Sequence, residues 1–209
     1  VYKLEKSEYM QIIDGFPKLQ NQEKEQLLNG YEEYSTITGT NIPNHVTASL
    51  SELDMQMVRA VPPGGNWKDI PESIPSKRLD QIRVSYAEGK GSRSTYYGRL
   101  RDDRPSYTIA TYFNRPGNGC NMHYSQDRVI SQREAARLQS FPDGFVFEGS
   151  ENQINKQIGN AVPPLLAYQI SNQINAQITG AGMFIDLFSG CGGLSLGFMW
   201  AGWQPIVAN

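Results

Sequence analysis

The stretch of sequence that decides the fold reads Phe184-Ile-Asp-Leu-Phe-Ser-Gly-Cys-Gly-Gly-Leu-Ser-Leu-Gly-Phe198. The apolar residues from Met183 to Phe188 predict a buried strand, and the glycines after them predict a sharp turn into a helix that begins at about Gly193. Such a turn lets a ligand approach the backbone and directs the N-terminus of a helix at a negative group. In doubly wound α/β folds, a turn of this kind follows the first strand and holds a nucleotide-like cofactor.

The spacing of these glycines distinguishes between classes of cofactor. The dinucleotide fingerprint would place a third glycine at position 195, where this chain has Ser195. The sequence therefore disfavours an oxidoreductase that binds a nicotinamide or a flavin, since that reading rests on the glycine turn alone. A tight turn that binds no ligand is the structural alternative.

Composition and motif counts exclude several other classes of protein. The chain has 209 residues, of which 39% are hydrophobic and 19% charged, as is typical of a globular domain. It contains no apolar run of the ~18 residues that span a bilayer and no apolar signal segment in its first residues. We therefore expect no membrane contact and a cytoplasmic location. Two cysteines, Cys120 and Cys191, and two distant histidines, His45 and His123, predict neither a disulfide framework nor a metal site.

The net charge of −2 conceals a basic segment. Residues 81–142 contain ten Lys and Arg against five Asp and Glu, and all but one of these basic residues are Arg. The segments on either side are acidic, with eight against twelve in residues 1–80 and one against four in residues 143–209. An Arg-rich, Gly-rich and Tyr-rich segment fits contact with nucleic-acid phosphates. An ordinary solvated face is the alternative.

The rest of the chain predicts short elements joined by loops. A helix is expected around Gln22–Tyr34. A capping box of Ser49 and Glu52 predicts a short helix after it, with an apolar face of Leu53, Met57 and Val58. Between residues 82 and 130, apolar pieces separated by Gly, Asn and Pro predict an irregular, loop-dominated β region, with its strands at Ile82–Tyr86, Tyr107–Phe113 and Arg128–Ile130.

Two further helices are predicted before the glycine turn. A second capping box, formed by Ser131 and Glu134, opens a short helix through Gln139. A longer helix is expected from Pro163, because proline is tolerated in the first turn of a helix. Large apolar residues recur every four positions along it and predict one buried stripe, which consists of Leu166, Ile170, Ile174 and Ile178.

Several of these segments resemble the DNA cytosine-5 methyltransferases. Asp186-Leu-Phe-Ser-Gly-Cys-Gly-Gly193 is similar to the first motif of that family, where the turn holds S-adenosylmethionine. Arg133-Glu-Ala-Ala-Arg-Leu-Gln-Ser-Phe-Pro-Asp143 resembles the ninth motif, and Gln157-Ile-Gly-Asn-Ala-Val-Pro-Pro164 resembles the tenth. Two more segments are similar to those that flank the target recognition domain, Arg104-Pro-Ser-Tyr-Thr-Ile-Ala-Thr111 and Asn44-His45 through Pro62-Pro-Gly-Gly-Asn-Trp67.

The order of these motifs differs from the ordinary family arrangement, in which the first motif opens the chain. The resemblance therefore implies a circular permutation joined through Thr179–Gly182. It implies an α/β fold in which an irregular β-rich target recognition domain is followed by helices and by the first β-α unit of a Rossmann-like methyltransferase domain. The corresponding domains are residues 1–142 with a hinge helix, residues 143–182 with the tenth motif, and residues 183–209 with the incomplete cofactor domain.

The resemblance also assigns roles to individual residues. The S-adenosylmethionine site would be formed by Phe188, Ser189, Gly190, Cys191, Gly192 and Gly193 together with Asn160, Ala161 and Val162. Asp186 would brace this turn. Arg133 and Arg137 would hold the hinge between the domains, with direct phosphate contact as the alternative. Duplex DNA would be the partner, with Thr108 on the backbone near a flipped nucleotide. The predicted DNA contacts are Arg99, Arg101, Arg104, Thr108 and Arg115, each arginine being able to bind phosphate or guanine.

The family chemistry needs parts that the motifs of this chain do not supply. A Pro-Cys pair provides the thiolate that attacks cytosine C6, and neither Cys120 nor Cys191 follows a proline. The Glu-Asn-Val motif that holds the base has no match, because Glu151-Asn152 is followed by Gln153 and predicts a loop or cap. We therefore expect no catalytic residue in this chain, no activity of the chain alone, and a partner segment that carries both motifs. The alternative is a non-catalytic DNA-binding or specificity subunit of a split bacterial methyltransferase.

Overall fold

The structure, a computed structural model, describes residues 42–90 and 95–209 of the chain. This part consists of helices and short strands, as the α/β prediction requires in its coarse form. It divides between Ala161 and Val162 into two compact units. The helix predicted around Gln22–Tyr34 lies outside the described residues. The assignment of functional domains to residues 1–142, 143–182 and 183–209 stays a prediction.

The unit that ends at Ala161 is built from short helices joined by long loops. Its two strands are short and pair in parallel, with Gly98 opposite Cys120. Two 3₁₀ turns, Trp67–Asp69 and Pro116–Asn118, interrupt the loops. The regular elements, in chain order, are α1 (Glu52–Ala60), α2 (Lys77–Ala87), β1 (Gly98–Arg99), β2 (Cys120–Met122), α3 (Gln132–Leu138) and α4 (Glu151–Asn160).

Apolar side chains from α1, α2 and β2 form a core of this unit. Met57 and Val58 of α1 are buried, as the predicted apolar face requires, whereas Leu53 is 38% exposed. The remaining members come from the loops and from the other elements. They are Val61, Trp67, Ile70, Leu79, Ile82, Tyr97 and Met122.

The predicted cap of α1 is wrong by two residues. Ser51, not Ser49, is the N-cap, and its hydroxyl accepts a hydrogen bond from the backbone N–H of Asp54 at 3.1 Å. Two overlapping Ser-x-x-acid patterns occur here, and the helix begins at the second, which places Met57 and Val58 in the core. The capping box of Ser131 and Glu134 at the start of α3 is confirmed.

The β pieces predicted between residues 82 and 130 are largely wrong. Ile82–Tyr86 lies inside α2, because Ser76 caps a helix in which Leu79 and Ile82 share one buried face. Tyr107–Phe113 forms no regular element, and Arg128–Ile130 contributes only one antiparallel bridge, from Val129 to Met122. The loop-dominated character of the region is confirmed, and its strand content is lower than predicted.

The prediction of a loop or cap at Glu151-Asn152 is wrong, because both residues belong to helix α4. Ser150 and Gln153 form a reciprocal capping box at its N-terminus. Ile154 and Ile158, four residues apart, are buried on one face. The helix therefore carries a cap and an apolar stripe, although only three of its residues are buried.

The unit that includes Val162–Asn209 contains a β-α-β arrangement. Helix α5 (Pro164–Asn175) begins directly after Pro163, which confirms the predicted start. Strand β3 (Met183–Asp186) is followed by α6 (Gly193–Trp200) and then by β4 (Gln204–Ala208). The two strands are parallel, with Met183 opposite Gln204 and Asp186 opposite Ala208.

Helices α5 and α6 approach each other closely at Gly197. A Cβ at this position would lie 2.5 Å from the Cβ of Ala167 and 2.6 Å from the backbone nitrogen of Tyr168. The end of α5 is fixed by Asn175, whose amide donates to the Ala201 carbonyl and accepts from the indole N–H of Trp203. These contacts join the segments before and after residues 176–182 into one unit.

The predicted buried stripe of α5 is wrong. Leu166, Ile170 and Ile178 are 52%, 42% and 51% exposed. The buried side of α5 is offset by one residue and consists of Leu165, Ala167, Tyr168 and Ser171. Close approach to α6 selects small residues beside Gly197, so the larger isoleucines turn away from this contact.

Candidate cofactor turn and nucleic-acid interface

The predicted glycine turn connects β3 to α6. Gly190 and Gly192 have φ values of +56° and +85°, which L residues with a side chain rarely adopt. No atom lies within 4 Å of a Cβ built at either position. The two glycines are therefore required by the backbone conformation, and the space above the turn is open to a ligand.

Asp186 braces this turn with both carboxylate oxygens. One oxygen accepts a hydrogen bond from the backbone N–H of Phe188 at 3.3 Å, and the other accepts from the Ser195 hydroxyl at 2.6 Å. Both Asp186 and Ser195 are buried. Position 195, where a dinucleotide fingerprint has glycine, thus carries a side chain that ties α6 back to β3.

The open turn fits the methionine end of S-adenosylmethionine in its polarity. Its backbone leads into the N-terminus of α6, whose first N–H groups have no partner within the helix and favour a carboxylate. Phe188 is 94% exposed beside the turn, which leaves an aromatic face available. Burial raises the pKa of the Cys191 thiol, although hydrogen bonds from the backbone N–H groups of Gly193 and Cys191 oppose this shift. Cys191 is therefore a neutral lining residue of the turn.

The tenth-motif residues lie at the division between the two units. Asn160 ends α4, and Ala161 follows it in the same unit. Val162 begins the other unit and is 38% exposed. Their contribution to the cofactor site stays a prediction.

The Arg-rich segment contributes to a groove that joins two separate loops. Gly64 donates a backbone hydrogen bond to the Arg99 carbonyl, and Arg99 donates one to the Gly65 carbonyl, each at 3.1 Å. This pairing sets the loop of residues 62–66 beside β1 and the residues after it. Between them lies a cavity of about 230 Å³. We call it the recognition groove, and its polar and charged lining includes Asn66, Thr95, Arg101, Arg104 and Tyr107.

Arg99 is not available as a DNA contact, which corrects the prediction. Its guanidinium is buried and donates five hydrogen bonds inside the protein. One joins the Asp127 carboxylate at 2.9 Å. The other four join backbone carbonyls at 2.6–2.9 Å, those of Val58, Val61, His123 and Gln126. All five N–H groups are used, so Arg99 holds α1 to the loop after β2 and has no donor left for a phosphate or a base.

The other predicted DNA contacts are exposed. Arg101 and Arg104 line the recognition groove, whereas Thr108 and Arg115 are not among the residues that line it. The Arg115 guanidinium lies 5.9 Å from the ring centroid of Tyr112, which is itself 51% exposed. The structure thus brings two of the four remaining residues together.

Arg133 and Arg137 make their contacts inside the unit that ends at Ala161. Arg133 is fully buried and donates to the backbone carbonyls of Pro43, Pro142 and Phe145. Arg137 forms a bidentate ion pair with Asp143, at 2.7 and 2.6 Å. Both arginines fasten α3 to the loop that follows it. Because Arg133 is fully buried, it cannot contact a phosphate.

The loop after β2 contains a second ion-pair cluster. Arg128 binds Glu134 through two hydrogen bonds of 2.6 and 2.7 Å, and the His123 ring lies 3.7 Å from the same carboxylate. Burial raises the pKa of Glu134, but the hydrogen bonds from Arg128 and from the Ser131 N–H outweigh this and lower it to about 2. Burial and the charge of Arg128 lower the pKa of His123.

Cys120 is a buried residue of the unit that ends at Ala161. Burial raises the pKa of the Cys120 thiol to about 11, so this thiol is protonated at neutral pH. Within residues 42–90 and 95–209, no group of three or more His, Cys, Asp and Glu could hold a metal ion. No helix in this same part of the chain is long and apolar enough to cross a membrane.

Comparison with known proteins identifies the family. The family model for C-5 cytosine-specific DNA methylases matches residues 3–176, which is most of the chain. The chain belongs to this family. The resemblance of the recognition segments and of the ninth and tenth motifs is thereby confirmed at the level of the family, and the cofactor turn lies beyond the matched range.

Relatives within the C-5 cytosine-specific DNA methylases come from bacteria and plants. The chain is 36% identical to the type II methyltransferase M.NgoFVII of Neisseria gonorrhoeae over 152 residues, which are 70% of this chain and 37% of the relative. It is 36% identical to the type II methylase M.HgiDII of Herpetosiphon aurantiacus over 144 residues, 65% of this chain and 38% of the relative. It is 32% identical to DNA (cytosine-5)-methyltransferase 2 of Arabidopsis thaliana over 148 residues, 64% of this chain and 10% of the relative. The chain therefore spans less than two fifths of the length of these relatives.

Sequence reasoning missed the parts of the recognition groove that are not arginine. The motif resemblance covers Gly64, Gly65 and Asn66 without giving them a role, and the predicted DNA contacts do not include Asp103, which binds Arg101 but does not itself line the groove. Asp103 lies two residues after Arg101, a spacing that brings an acid and a base together only in an extended or turned loop. The pattern Arg-x-Asp in a loop was the signal that could have indicated the pair.

Proposed function

We propose that this chain provides target recognition and part of the cofactor site of an S-adenosylmethionine-dependent DNA cytosine-5 methyltransferase. The single observation that carries the proposal is the family match over residues 3–176 combined with the braced glycine turn that follows it. In this proposal residues 1–142 are the irregular recognition domain with the hinge helix, and residues 143–182 carry the tenth motif. Residues 183–209, which contain β3, α6 and β4, are the start of a Rossmann-like cofactor domain.

The order of the motifs is part of the proposal, as a circular permutation joined through Thr179–Gly182. The contact between α5 and α6 at Gly197 supports it. The helix that follows the tenth motif, α5, and the helix that follows the glycine turn, α6, already pack together within this chain. A short joint can connect two such neighbouring ends without disturbing the packing on either side.

The cofactor would be held at the turn by backbone groups of residues 188–193. Asn160, Ala161 and Val162 of the tenth motif are the other proposed cofactor residues. When bound, S-adenosylmethionine supplies an electrophilic methyl group. The turn would bind the carboxylate of the methionine end through backbone N–H groups at the start of α6. Asp186 would keep the turn in its open conformation through Phe188 and Ser195.

Duplex DNA would bind along the recognition groove and the exposed loop beyond it. Arg101, Arg104, Thr108 and Arg115 are the proposed contacts, and Arg99 is left out because its guanidinium is buried. Access of a target cytosine to the cofactor would require the base to leave the helical stack, at a cost of a few kcal/mol. Favourable phosphate contacts from the exposed arginines would offset part of this cost.

The catalytic Pro-Cys and Glu-Asn-Val motifs would come from a complementary segment. The apolar surface of the β3-β4 sheet supports this part of the proposal, because its side chains are accessible rather than packed. Met183, Ile185 and Leu187 are 69%, 57% and 63% exposed, and Ile206 is 57% exposed. Completing the sheet with further strands and helices would bury this surface, as the two faces of parallel sheets require.

The test is reconstitution. This chain would be co-expressed with a fragment of a family member that carries both missing motifs, and methyl transfer to duplex DNA would be measured and mapped by bisulfite sequencing. We expect methylated cytosine with the intact fragment and none with a fragment whose Pro-Cys cysteine is replaced by alanine. Binding of DNA without methyl transfer in the intact pair would contradict the enzyme proposal.

A non-catalytic DNA-binding subunit is the second candidate. Neither Cys120 nor Cys191 follows a proline, so the cysteines of this chain do not match the family nucleophile, as this candidate requires. The same reconstitution separates the two proposals. A subunit of this kind would bind duplex DNA with a clear salt dependence and would yield no methylated cytosine with any fragment.

A further inference from the structure

The recognition groove contains one arginine whose guanidinium is already half engaged. Arg101 donates from Nε to one oxygen of Asp103 at 2.7 Å and from Nη2 to the other at 2.6 Å. This side-on pairing uses two of the five N–H groups of the guanidinium. No residue in the described part of the chain accepts a hydrogen bond from Nη1. The groups that remain form the end-on fork of Nη1 and Nη2.

The aliphatic part of Arg101 is held as well. A Cβ at Gly64 would lie 2.8 Å from its Cδ and 3.1 Å from its Cγ, so the side chain lies directly on the backbone of this glycine. Gly64 has a φ of +76° and donates to the Arg99 carbonyl, which fixes it relative to β1. Arg101 is thus fixed along its stem by Gly64 and at its head by Asp103, although the side chain is 42% exposed.

The charge balance of the pair separates two possible DNA contacts. Arg101 and Asp103 together carry no net charge, so the pair attracts a phosphate at a distance only weakly. Its directional donors are unaffected by this neutralisation. An end-on arginine fork matches the O6 and N7 acceptors of guanine in the major groove. The shape and charge of this pair therefore fit a base edge better than a phosphate.

Arg104 provides the contrast within the same groove. It is exposed, and no hydrogen bond or ion pair engages it among the described residues. Its full positive charge and its free side chain suit a phosphate contact. The two exposed arginines of the groove, Arg101 and Arg104, are thus prepared for different tasks.

We infer that Arg101 is the guanine-reading residue of the recognition groove and that Asp103 is the positioning residue that directs its fork. The inference rests on the proposed function, since it assumes that this groove faces duplex DNA. The pair persists at neutral pH, because the hydrogen bond and the charge of Arg101 lower the pKa of Asp103. A fork held in place before binding loses less side-chain freedom when it meets its base.

The test compares Asp103→Asn with Asp102→Asn in the complete methyltransferase, reconstituted with its complementary segment. Both variants remove one negative charge, but no hydrogen bond joins Asp102 to Arg101 in the described structure. The preferred site is first selected by the wild-type protein from a pool of randomised duplexes. Each guanine of that site is then replaced in turn by 7-deazaguanine, which lacks the N7 acceptor, and the dissociation constant is measured.

We expect one guanine at which 7-deazaguanine weakens wild-type binding by about tenfold. At that position Asp102→Asn should keep the tenfold loss, whereas Asp103→Asn should reduce it to about threefold. Arg101→Lys, which keeps the charge but lacks the fork, and Arg101→Ala should both be insensitive to 7-deazaguanine there. Unchanged thermal unfolding of each variant would confirm that these effects arise at the DNA.

Two results overturn the inference. One is an equal response of Asp102→Asn and Asp103→Asn, which would show that Asp103 acts through its charge alone and not by positioning the Arg101 guanidinium. The other is an Arg101→Ala variant that stays sensitive at every guanine while its salt dependence falls, which would make Arg101 a phosphate contact. Failure of the wild-type protein to select any sequence from the pool would instead contradict the proposed function.

Discussion

The cofactor turn and the recognition groove are built in opposite ways. The turn is made from one continuous segment, in which Asp186 reaches only as far as Ser195, and the groups proposed to face a ligand belong to the backbone. The groove joins residues 64–66 to residues 95–107, and the groups proposed to contact DNA are side chains. A backbone site of this kind tolerates changes in side chains, and a side-chain site of this kind can change its specificity without a change of fold.

The two regions also differ in how their arginines and glycines act. In the groove, Arg99 is structural, Arg101 is held and Arg104 is free. In the second unit, Gly197 provides close packing, while Gly190 and Gly192 provide backbone conformation. Substitutions of single residues can therefore separate stability from binding within each region.

The largest effect is expected from Arg99→Met. Its removal leaves the buried carbonyls of Val61 and His123 without a donor, whereas Val58 and Gln126 keep a backbone donor, so the free energy of unfolding should fall by about 4 kcal/mol. Urea denaturation measures this change. Arg104→Met is the matched control, because the exposed Arg104 should affect stability by less than about 0.5 kcal/mol.

In DNA binding, the salt dependence should change in Arg104→Met and not in Arg99→Met, which is the reverse of their effects on stability. Arg104→Met should lower the slope of log K against log salt concentration by about 1. A folded Arg99→Met protein should keep the wild-type slope. A stable Arg99→Met variant with a reduced slope would show that Arg99 reaches the DNA after all.

Close packing in the second unit is tested by Gly197→Val. The new side chain would collide with the backbone of Pro164 and Tyr168, which cannot move without shifting α5, and stability should fall by about 3 kcal/mol. Gly182→Ala serves as the control, since its Cβ would make only an ordinary contact, 3.6 Å from Trp203. Similar unfolding midpoints for the two variants would contradict the described contact between α5 and α6.

The contrast between turn and groove explains how far the sequence could predict each. The strand, turn and helix from Met183 to Trp200 follow from residues adjacent in sequence, and the structure has them where the pattern indicates. The predicted burial of the strand is wrong, because Met183 and Ile185 are 69% and 57% exposed. Capping residues likewise predicted α3, because Ser131 and Glu134 act within four residues. Local patterns succeed where the interaction that decides the conformation is local.

The groove could not be predicted, because distant backbone pairing creates it. Gly64 meets Arg99 through hydrogen bonds across more than thirty residues, and this pairing buries one arginine while leaving Arg101 exposed. All the arginines of the segment look alike in the sequence. Tertiary packing also decided the exposed stripe of α5, where close approach at Gly197 selected the smaller Ala167 over Ile170.

A smaller effect, of about 2 kcal/mol, is expected from Glu134→Gln at neutral pH. The folded pKa of Glu134, about 2, lies below its ordinary value of 4.5, so its stabilising contribution is present above pH 4.5 and is lost as the pH falls towards 2. The lowered pKa of His123 acts in the same direction, because protonation of this buried ring as the pH falls below 6.5 favours the unfolded chain.

Unfolding measured between pH 7 and pH 2 checks this prediction. The stability difference between wild type and Glu134→Gln should shrink as the pH falls from about 4.5 towards 2, where the side chain of residue 134 is neutral in both proteins. A difference that does not depend on pH would mean that the glutamine loses packing rather than the charge that binds Arg128.

The smallest effect is expected at the turn itself, from Gly190→Ala. The φ of +56° costs a residue with a Cβ about 1 kcal/mol, and no neighbouring atom adds a collision. Gly89→Ala is the matched control, because Gly89 has a φ of +71° and is equally open, yet lies far from the turn in sequence and in the other unit. The two variants should therefore lose the same stability in thermal unfolding.

Only Gly190→Ala should weaken the binding of S-adenosylhomocysteine to the reconstituted enzyme, because its methyl group projects into the open space where the backbone would meet the ligand. We expect a loss of about tenfold by titration calorimetry, equivalent to about 1.4 kcal/mol. Equal affinities in the two variants would show that the cofactor does not bind beside Gly190. The turn would then have a structural role only. That outcome would remove the contrast between a backbone site and a side-chain site, since only the recognition groove would then bind a ligand.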